Sequence, residues 1–274
     1  MRTVRLATEA DAAGILVVYA PYIRDTAVTF ETEIPSLDAF RCRMASIIGD
    51  YPYLVVEEDG SIVGFAYAHR LGERAAYAWN AELSIYFAPG CTSRGWGSVL
   101  FWALIDLLAL QGVRNAYSLI TVPNEASLAL HEKLGFTLMG VQKEAGYKLG
   151  AWHDVAWLRM AIGDFSAAPE PRMPLSSMDP DQVADRWEEG GRSFFRYEMA
   201  GSNYSAGVKS WSVTVPFNGE VTLEDAWNCQ ASASGTQLAI TNDAHNGNVP
   251  AGAFVRDVGF IVSGPADLAV VEYE

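Results

Sequence analysis

Polar and apolar side chains alternate over residues 3–7, which predicts an opening strand. Thr8, with Asp11 three residues on, has the form of a capped start for a helix running toward Tyr22. Pro35-Ser36 opens a second helix, in which Leu37, Phe40, Met44 and Ile47/Ile48 fall near helical spacing and give one buried face. Strands are predicted at Tyr53–Glu57, Ile62–Leu71 and Ala76–Phe87, with Asp59-Gly60 as a hairpin turn between the first two. Beyond Gly97, the apolar positions Val99, Leu100, Ala103, Leu104, Leu107 and Leu108 repeat with helical period and stop at Gly112. A strand follows at Ala116–Val122, then a helix capped by Asn124 and closed at Gly135, then strands near Leu138–Lys148 and His153–Ala161. This order is an α/β domain with a central sheet flanked by helices.

The pattern breaks at residue 164. Residues 164–180 hold four prolines and little apolar periodicity, which predicts an extended linker. Residues 181–274 change class: Ser210–Val215, Leu238–Thr241 and Val258–Val262 alternate as strands, Asn-Gly and Ser-Gly turns separate them, and no useful helical stretch follows Arg192. That is the signature of a small all-β sandwich. Three segments follow: an α/β domain at 1–163, a proline-rich linker at 164–180 and a sandwich at 181–274.

Charge supports the division. The net charge is −14, with −4 on residues 1–163 (13 Lys/Arg, 17 Asp/Glu) and −10 on the remainder (6 and 16). No basic stripe is present to neutralise phosphates, which argues against a nucleic-acid partner. No N-terminal stretch has the form of a secretory leader, and no apolar run approaches about 18 residues, so no membrane partner is expected. Cys42, Cys91 and Cys229 are scattered without metal-ligand or redox spacing, which predicts free thiols, no metal site and a cytoplasmic location.

The densest chemistry lies between Ala81 and Phe136. The alternating run Leu83, Ile85, Phe87 ends at Pro89-Gly90, and the glycine-rich turn Arg94-Gly95-Trp96-Gly97-Ser98 leads directly into a helix. A helix start offers unpaired N–H groups and a positive dipole end, and glycine lets a phosphate approach the backbone. Glu82, upstream on the strand, supplies a base beside that site. The combination suggests group transfer from a phosphate-bearing carrier.

This segment resembles the acyl-CoA-binding core of the GNAT N-acetyltransferases, in particular the phosphinothricin and methionine sulfoximine branch. Further matching pieces are Thr29-Phe30-Glu31-Thr32-Glu33, Tyr51-Pro52-Tyr53-Leu54-Val55, Gly64-Phe65-Ala66-Tyr67-Ala68, Arg74-Ala75-Ala76-Tyr77, Leu130-His131-Glu132 and Gly146–Val155. The resemblance implies the GNAT fold, acetyl-CoA as cofactor, a small-molecule amine acceptor (the α-amine of an amino acid or analogue) and a homodimer. It implies Glu82 as general base and His131 as the acid for the departing thiolate, since an imidazole near pKa ~6.5 can protonate a thiolate whose conjugate acid lies near ~8.5. Read plainly, these two are a solvated strand carboxylate and a helix histidine bonded to backbone. The cofactor would lie along Ile85, Tyr86 and Phe87, on Arg94, Gly95, Trp96, Gly97 and Ser98, and beside Asn124 and Ser127. Asn124 can be an N-cap as well. Phe30, Glu31, Arg74 and Tyr77 match positions around the acceptor. Thr92 and Ser93 depart from the family's Gln or Arg at the head of the loop, and Ala78 and Asn80 replace a charged residue and a threonine near the acceptor.

From Trp211 onward the chain resembles a family-2 carbohydrate-binding module, carried by Ala226-Trp227-Asn228, Ser234-Gly235, Thr241–Gly247, Pro250-Ala251-Gly252 and Gly259-Phe260. The resemblance implies a polysaccharide partner stacked on exposed rings, with Trp227 and His245 at two platform positions and Trp211 in the core. Trp187 precedes the expected place of a third platform residue. The alternative for this half is a sandwich kept for stability, dimer contact or protein interaction. For the whole chain, two other readings stand beside amino-acid acetylation: an amino-sugar or cell-wall acceptor, and an acyl-CoA sensor without turnover.

Overall fold

The computed structural model describes residues 2–92, 95–178, 186–189, 192–202, 208–249, 254–265 and 268, and the chain divides into two units, Met1–Met178 and Asp179–Glu274.

In the first unit a short strand, β1 (Arg2–Leu6), leads through a 3-10 turn into helix α1 (Ala12–Asp25). Asp11 fastens this entry: its carboxylate accepts from the Thr8 backbone N–H at 2.7 Å and from the Arg5 guanidinium at 2.8 Å. Helix α1 runs three residues past its expected end, with Pro21 inside it. The lost hydrogen bond is tolerated because Val17, four residues earlier, is on the solvent face. Helix α2 (Leu37–Ala45) starts where Ser36 accepts the Ala39 N–H. Strands β2 (Tyr53–Glu58) and β3 (Ser61–Arg70) form the Asp59-Gly60 hairpin. The expected strand from Ala76 begins later, as β4 (Asn80–Phe87), because Ala75–Tyr77 close a 3-10 turn with the Ala78 N–H on the Ala75 carbonyl. Then come α3 (Trp96–Leu110), β5 (Asn115–Val122), α4 (Glu125–Lys133), β6 (Thr137–Lys148) and β7 (Ala151–Ala161).

These strands make one seven-stranded sheet in the order β1-β2-β3-β4-β5-β7-β6. Alternation along each strand divides it into two faces. Tyr53, Val55 and Phe65 pack against Ile15, Val18, Tyr19, Phe40 and Met44 of α1 and α2. Leu54, Val56, Leu83 and Ile120 pack on the other face with Leu100, Phe101, Leu104 and Leu108 of α3. Phe65 and Phe101 are almost fully buried, and truncating such a ring to alanine costs about 3–5 kcal/mol. All neighbouring strands are antiparallel except β4 and β5, which pair in parallel at only three positions: Asn80↔Asn115, Ala81↔Ala116 and Glu82↔Tyr117.

Through Met178 the proline-rich segment, expected as an extended linker, is a strap held by the first unit, with a 3-10 turn at Leu175–Ser177. Arg172 lies over the Tyr51 ring at 4.2 Å and pairs with Asp50. Gln111 donates to the carbonyls of Asp50 and Met173, both at 2.8 Å, and the Trp79 indole donates to the Glu170 carbonyl at 2.7 Å.

The second unit has two sheets, β10-β13-β12 and β11-β14-β9-β8, from β8 (Arg186–Glu189), β9 (Arg192–Ser202), β10 (Ser212–Pro216), β11 (Thr222–Trp227), β12 (Cys229–Ser234), β13 (Gln237–Asn242) and β14 (Phe254–Gly264). Phe217, Leu238 and Ile240 meet Phe195, Phe260 and Val262 in its core, with Trp211 half-buried against them. The Thr241–Gly247 segment is a hydrogen-bonded corner. Asn242 accepts the Trp211 N–H at 2.9 Å, the Trp211 indole donates to the Asn246 carbonyl at 3.0 Å, and Asn246 donates to the Asn228 carbonyl at 2.6 Å.

Candidate active site

A parallel ladder leaves the facing backbone edges of two strands without partners wherever the strands part. Beyond the Glu82↔Tyr117 pair, β4 and β5 diverge, while β4 stays paired with β3 from Arg70↔Ala81 to Gly64↔Phe87. The Leu83 carbonyl is taken up by the Ser118 hydroxyl of β5 at 3.5 Å, and beyond it the edge of β4 that faces β5 has no ladder partner. The cleft between the strands encloses about 370 Å³ including its open mouth, and is lined by Leu83–Tyr86, Ser118–Thr121, Val28, Asn124, Ser127 and His131. Ile85, Tyr86, Asn124, Ser127 and His131, expected from the sequence to act together, meet here. Asn124 is an N-cap, accepting the Ser127 N–H at 3.2 Å. Phe87 is not in the cleft lining: its ring is buried in the core and its carbonyl accepts the Tyr22 hydroxyl at 2.6 Å.

Glu82 is the last paired residue of β4 before the split, on the face it shares with Tyr67 and Tyr86. Burial pushes its carboxyl above the usual carboxylate range, partly countered by His69. The His69 Nε2 lies 3.8 Å from Glu82 Oε1. His131 reaches the cleft from the opposite side, packed edge-on against Phe101 and Phe136 at 4.9 and 5.1 Å and only 2% exposed.

The tautomer of His131 follows from its contacts. Its Nδ1 is 2.7 Å from the Ser127 carbonyl, which can only accept, so Nδ1 carries the proton. Nε2 is buried and has no partner among the described residues. Burial lowers the histidine's pKa, against the Ser127 hydrogen bond that raises it. With Nδ1 given to the carbonyl, the neutral ring presents its lone pair at Nε2, so the acid role expected of it begins with uptake of a proton there.

At the mouth, α3 begins at Gly95, whose φ of +83° is left-handed backbone that glycine adopts without strain. The carbonyl of Gly95 accepts the Ser98 N–H at 3.0 Å, which removes that amide from the expected set of phosphate donors. Ser98 itself is buried. Trp96 and Gly97 stand in the first turn, and a Cβ at Gly97 would come within 3.3 Å of Leu130. Arg94 lies outside the described residues.

The four expected acceptor residues form two pairs. Phe30 lies against Gly146 and near the His153 ring, and Glu31 accepts from Tyr19 at 2.9 Å and from Arg43 at 2.5 Å. Lys148, buried on β6, holds this loop by donating to the Thr29 carbonyl at 2.7 Å. Arg74 and Tyr77 lie on the β3–β4 connection, Tyr77 half-exposed against Gly72. Among the described residues no hydrogen bond, ion pair or ring contact joins the two pairs. Sequence reasoning missed His69, Tyr67, Ser84 and Ser118, whose places depend on strand pairing. It also missed Arg43, the partner of Glu31.

In the second unit, the bond from Asn246 to the Asn228 carbonyl brings the turn holding His245 beside Trp227. Trp227 lies flat on its cross-strand partner Gly259, where a Cβ would stand 2.0 Å from the ring. His245 is exposed, 3.7 Å from Asp243. Residues 250–252 and the Trp187 side chain lie outside the described residues.

Residues 4–157 match the family model described as an acetyltransferase (GNAT) domain, and residues 181–272 the one described as a cellulose binding domain. The chain is 35% identical over 175 residues to a phosphinothricin N-acetyltransferase of Streptomyces viridochromogenes, covering 64% of this chain and 95% of the relative. It is 31% identical over 173 residues to an L-methionine sulfoximine/L-methionine sulfone acetyltransferase of Salmonella typhimurium, covering 61% and 98%. Among solved structures, a GNAT superfamily phosphinothricin acetyltransferase from Sinorhizobium meliloti in complex with AcCoA aligns with a TM-score of 0.59 at 32% identity, covering 66% of this chain and 96% of that one.

The neutral His131 makes stability depend on pH. In the unfolded chain the ring titrates near ~6.5, and in the folded chain lower, so the unfolded state binds the proton more readily. The stability contributed by this site is complete above pH ~6.5 and is lost as the pH falls below it toward the folded value. The melting temperature of wild type should drop over that acid range, and the drop should be shallower in His131→Leu. Parallel curves for the two proteins would show that the folded ring titrates normally.

Proposed function

The chain belongs to the GNAT acetyltransferase family, and from that premise we propose that its first unit acetylates the α-amine of a small amino acid or analogue of the phosphinothricin or methionine sulfoximine type. It is an N-acetyltransferase, and acetyl-CoA is the acetyl donor. The observation that carries the reading is the split between β4 and β5 with Glu82 at its head. The open edge of β4, the unpartnered Nε2 of His131 and the left-handed Gly95 at the α3 start suit a ligand with amides along its arm and phosphates at its end.

When bound, acetyl-CoA supplies a thioester carbonyl open to attack by an amine. An α-ammonium cannot attack until it loses a proton, and Glu82 is placed to take it. Burial raises the carboxyl's proton affinity, which brings it nearer that of the ammonium and eases the transfer. A second proton leaves nitrogen as the C–N bond forms, and the departing thiolate needs one. Nε2 of His131 can pass it on, as an acceptor first and a donor afterwards. Glu31, fixed by Arg43 and Tyr19, and Arg74, with no ion pair among the described residues, are the groups suited to an acceptor's ammonium and carboxylate.

The reading includes a homodimer. The edge strand β6, its turn and the start of β7 expose Leu138, Met139, Val141, Tyr147, Leu149 and Trp152 by 40% to 63%, a bare apolar arm suited to a second copy. For the second unit, the cellulose-binding match and the placing of Trp227 beside the His245 turn favour polysaccharide contact. That also keeps open an amino-sugar acceptor.

A thiol-release screen over amino acids and amino sugars identifies the acceptor class, and no release with any amine would favour a sensor. Glu82→Gln should lower kcat for an amino acid by about 10² to 10⁴ while leaving acetyl-CoA affinity nearly unchanged. Near-normal turnover at neutral pH would contradict the base assignment. In a pull-down on crystalline cellulose the full chain should be retained weakly, since one flat tryptophan supplies only about 0.5–1.5 kcal/mol of stacking beyond area burial. Strong retention abolished by Trp227→Ala would make the second unit a full carbohydrate anchor.

A further inference from the structure

Each acetylation of an ammonium releases one proton, and a base that is largely buried must pass that proton on before it can act again. The side chain of Glu82 is 23% exposed and that of His69 is 34% exposed. The antiparallel register of β3 and β4 puts His69 directly across from Glu82 on the same face. The His69 Nδ1 is 3.0 Å from the Arg70 carbonyl, so the neutral ring keeps its proton on Nδ1 and aims the Nε2 lone pair at the carboxyl. The ring stacks on Tyr67 at 5.8 Å, and Tyr67 stands across the strand pair from Ser84. The ionisable groups around it are Glu82 on β4, Tyr67 on its own strand and Tyr117 on β5, in register with Glu82; the neighbouring Arg70 turns to Glu73 at 3.4 Å.

We propose that His69 is the proton exit of this enzyme: it takes from Glu82 the proton that Glu82 took from the acceptor ammonium, and delivers it to solvent. The inference rests on the reading of Glu82 as the base. In the transfer the O–H bond of protonated Glu82 breaks and an N–H bond forms at Nε2, leaving carboxylate and imidazolium. The imidazolium then loses that proton to water or buffer, and both groups return to their starting forms. At 3.8 Å the two atoms are beyond hydrogen-bond length, so transfer needs an approach of roughly 1 Å or one bridging water. Nothing comparable drains His131, whose Nε2 is sealed from solvent. The two histidines thus divide the work: His131 handles a proton that stays within the site, and His69 the one that leaves.

With acetyl-CoA and L-methionine sulfone as the amine, His69→Ala should reduce kcat about 10-fold in dilute buffer, with KM for acetyl-CoA unchanged. Added imidazole should restore that rate in His69→Ala and not in Glu82→Gln. A His69→Ala rate equal to wild type in dilute buffer, or no rescue of His69→Ala by imidazole, overturns the relay, and if Glu82→Gln is inactive the base assignment survives alone. Normal turnover by Glu82→Gln overturns both.

Discussion

Strands β4 and β5 run parallel, and their hydrogen bonds persist for only three residue pairs before the strands separate. Nearly everything functional in the first unit follows from where that ladder stops. An antiparallel neighbour would have satisfied the whole edge of β4. Instead the edge is left without a ladder partner beyond Leu83, with Glu82 at the vertex and the start of α3 at the far end. Because the sheet has two faces, the opening also joins two surroundings that the sheet otherwise separates. Glu82 looks toward the aromatic cluster under α1 and α2, and His131 comes from the α3 side.

Both groups pay for that position in the same currency. Desolvation moves each toward its neutral form, up for the carboxyl and down for the imidazole. A buried site of this kind strengthens every interaction made inside it, which suits charge transfer between an ammonium and a thioester. It also traps protons, and the exposed flank of His69 answers that need. Around this centre the fold is fastened by a few polar contacts between segments distant in sequence. Lys148 holds the Thr29 loop, Tyr19 and Arg43 hold Glu31, and the strap from Asp164 to Met178 is pinned through Arg172 to Asp50.

The helices and strands of the first unit were legible because local signals agreed with the final packing. Ser36 and Asn124 cap the helices their types suggested, and Asp59-Gly60 turns the hairpin it should. Resemblance pointed to Glu82 and His131, which stand on the two sides of the parted strands, but the tautomer of His131 could not be read. It depends on the Ser127 carbonyl and on two phenylalanine rings, one of which, Phe101, comes from another helix. His69 could not be read from the sequence: the connection between β3 and β4 is long, so no turn type fixes which residue faces Glu82. The anchoring of the strap could not be read from the sequence, because its partners Tyr51, Trp79 and Gln111 are distant in sequence and carry no linear pattern. In the second unit the corner at Thr241–Gly247, read as a carbohydrate motif, turned out to build the sandwich as well. It fastens Trp211 and ties the turn that holds His245 to Asn228, the residue after Trp227.

The central claim is that the parted edge of β4, together with the first turn of α3, receives the acyl carrier. Amide hydrogen exchange of the full chain with and without CoA tests this without knowledge of the acceptor. Added CoA should slow exchange most in peptides covering Leu83–Phe87 and Gly95–Val99, where open donors gain partners. Protection elsewhere, for instance around the aromatic pocket of Tyr19, Tyr53 and Tyr67, with β4 unchanged, would contradict the account.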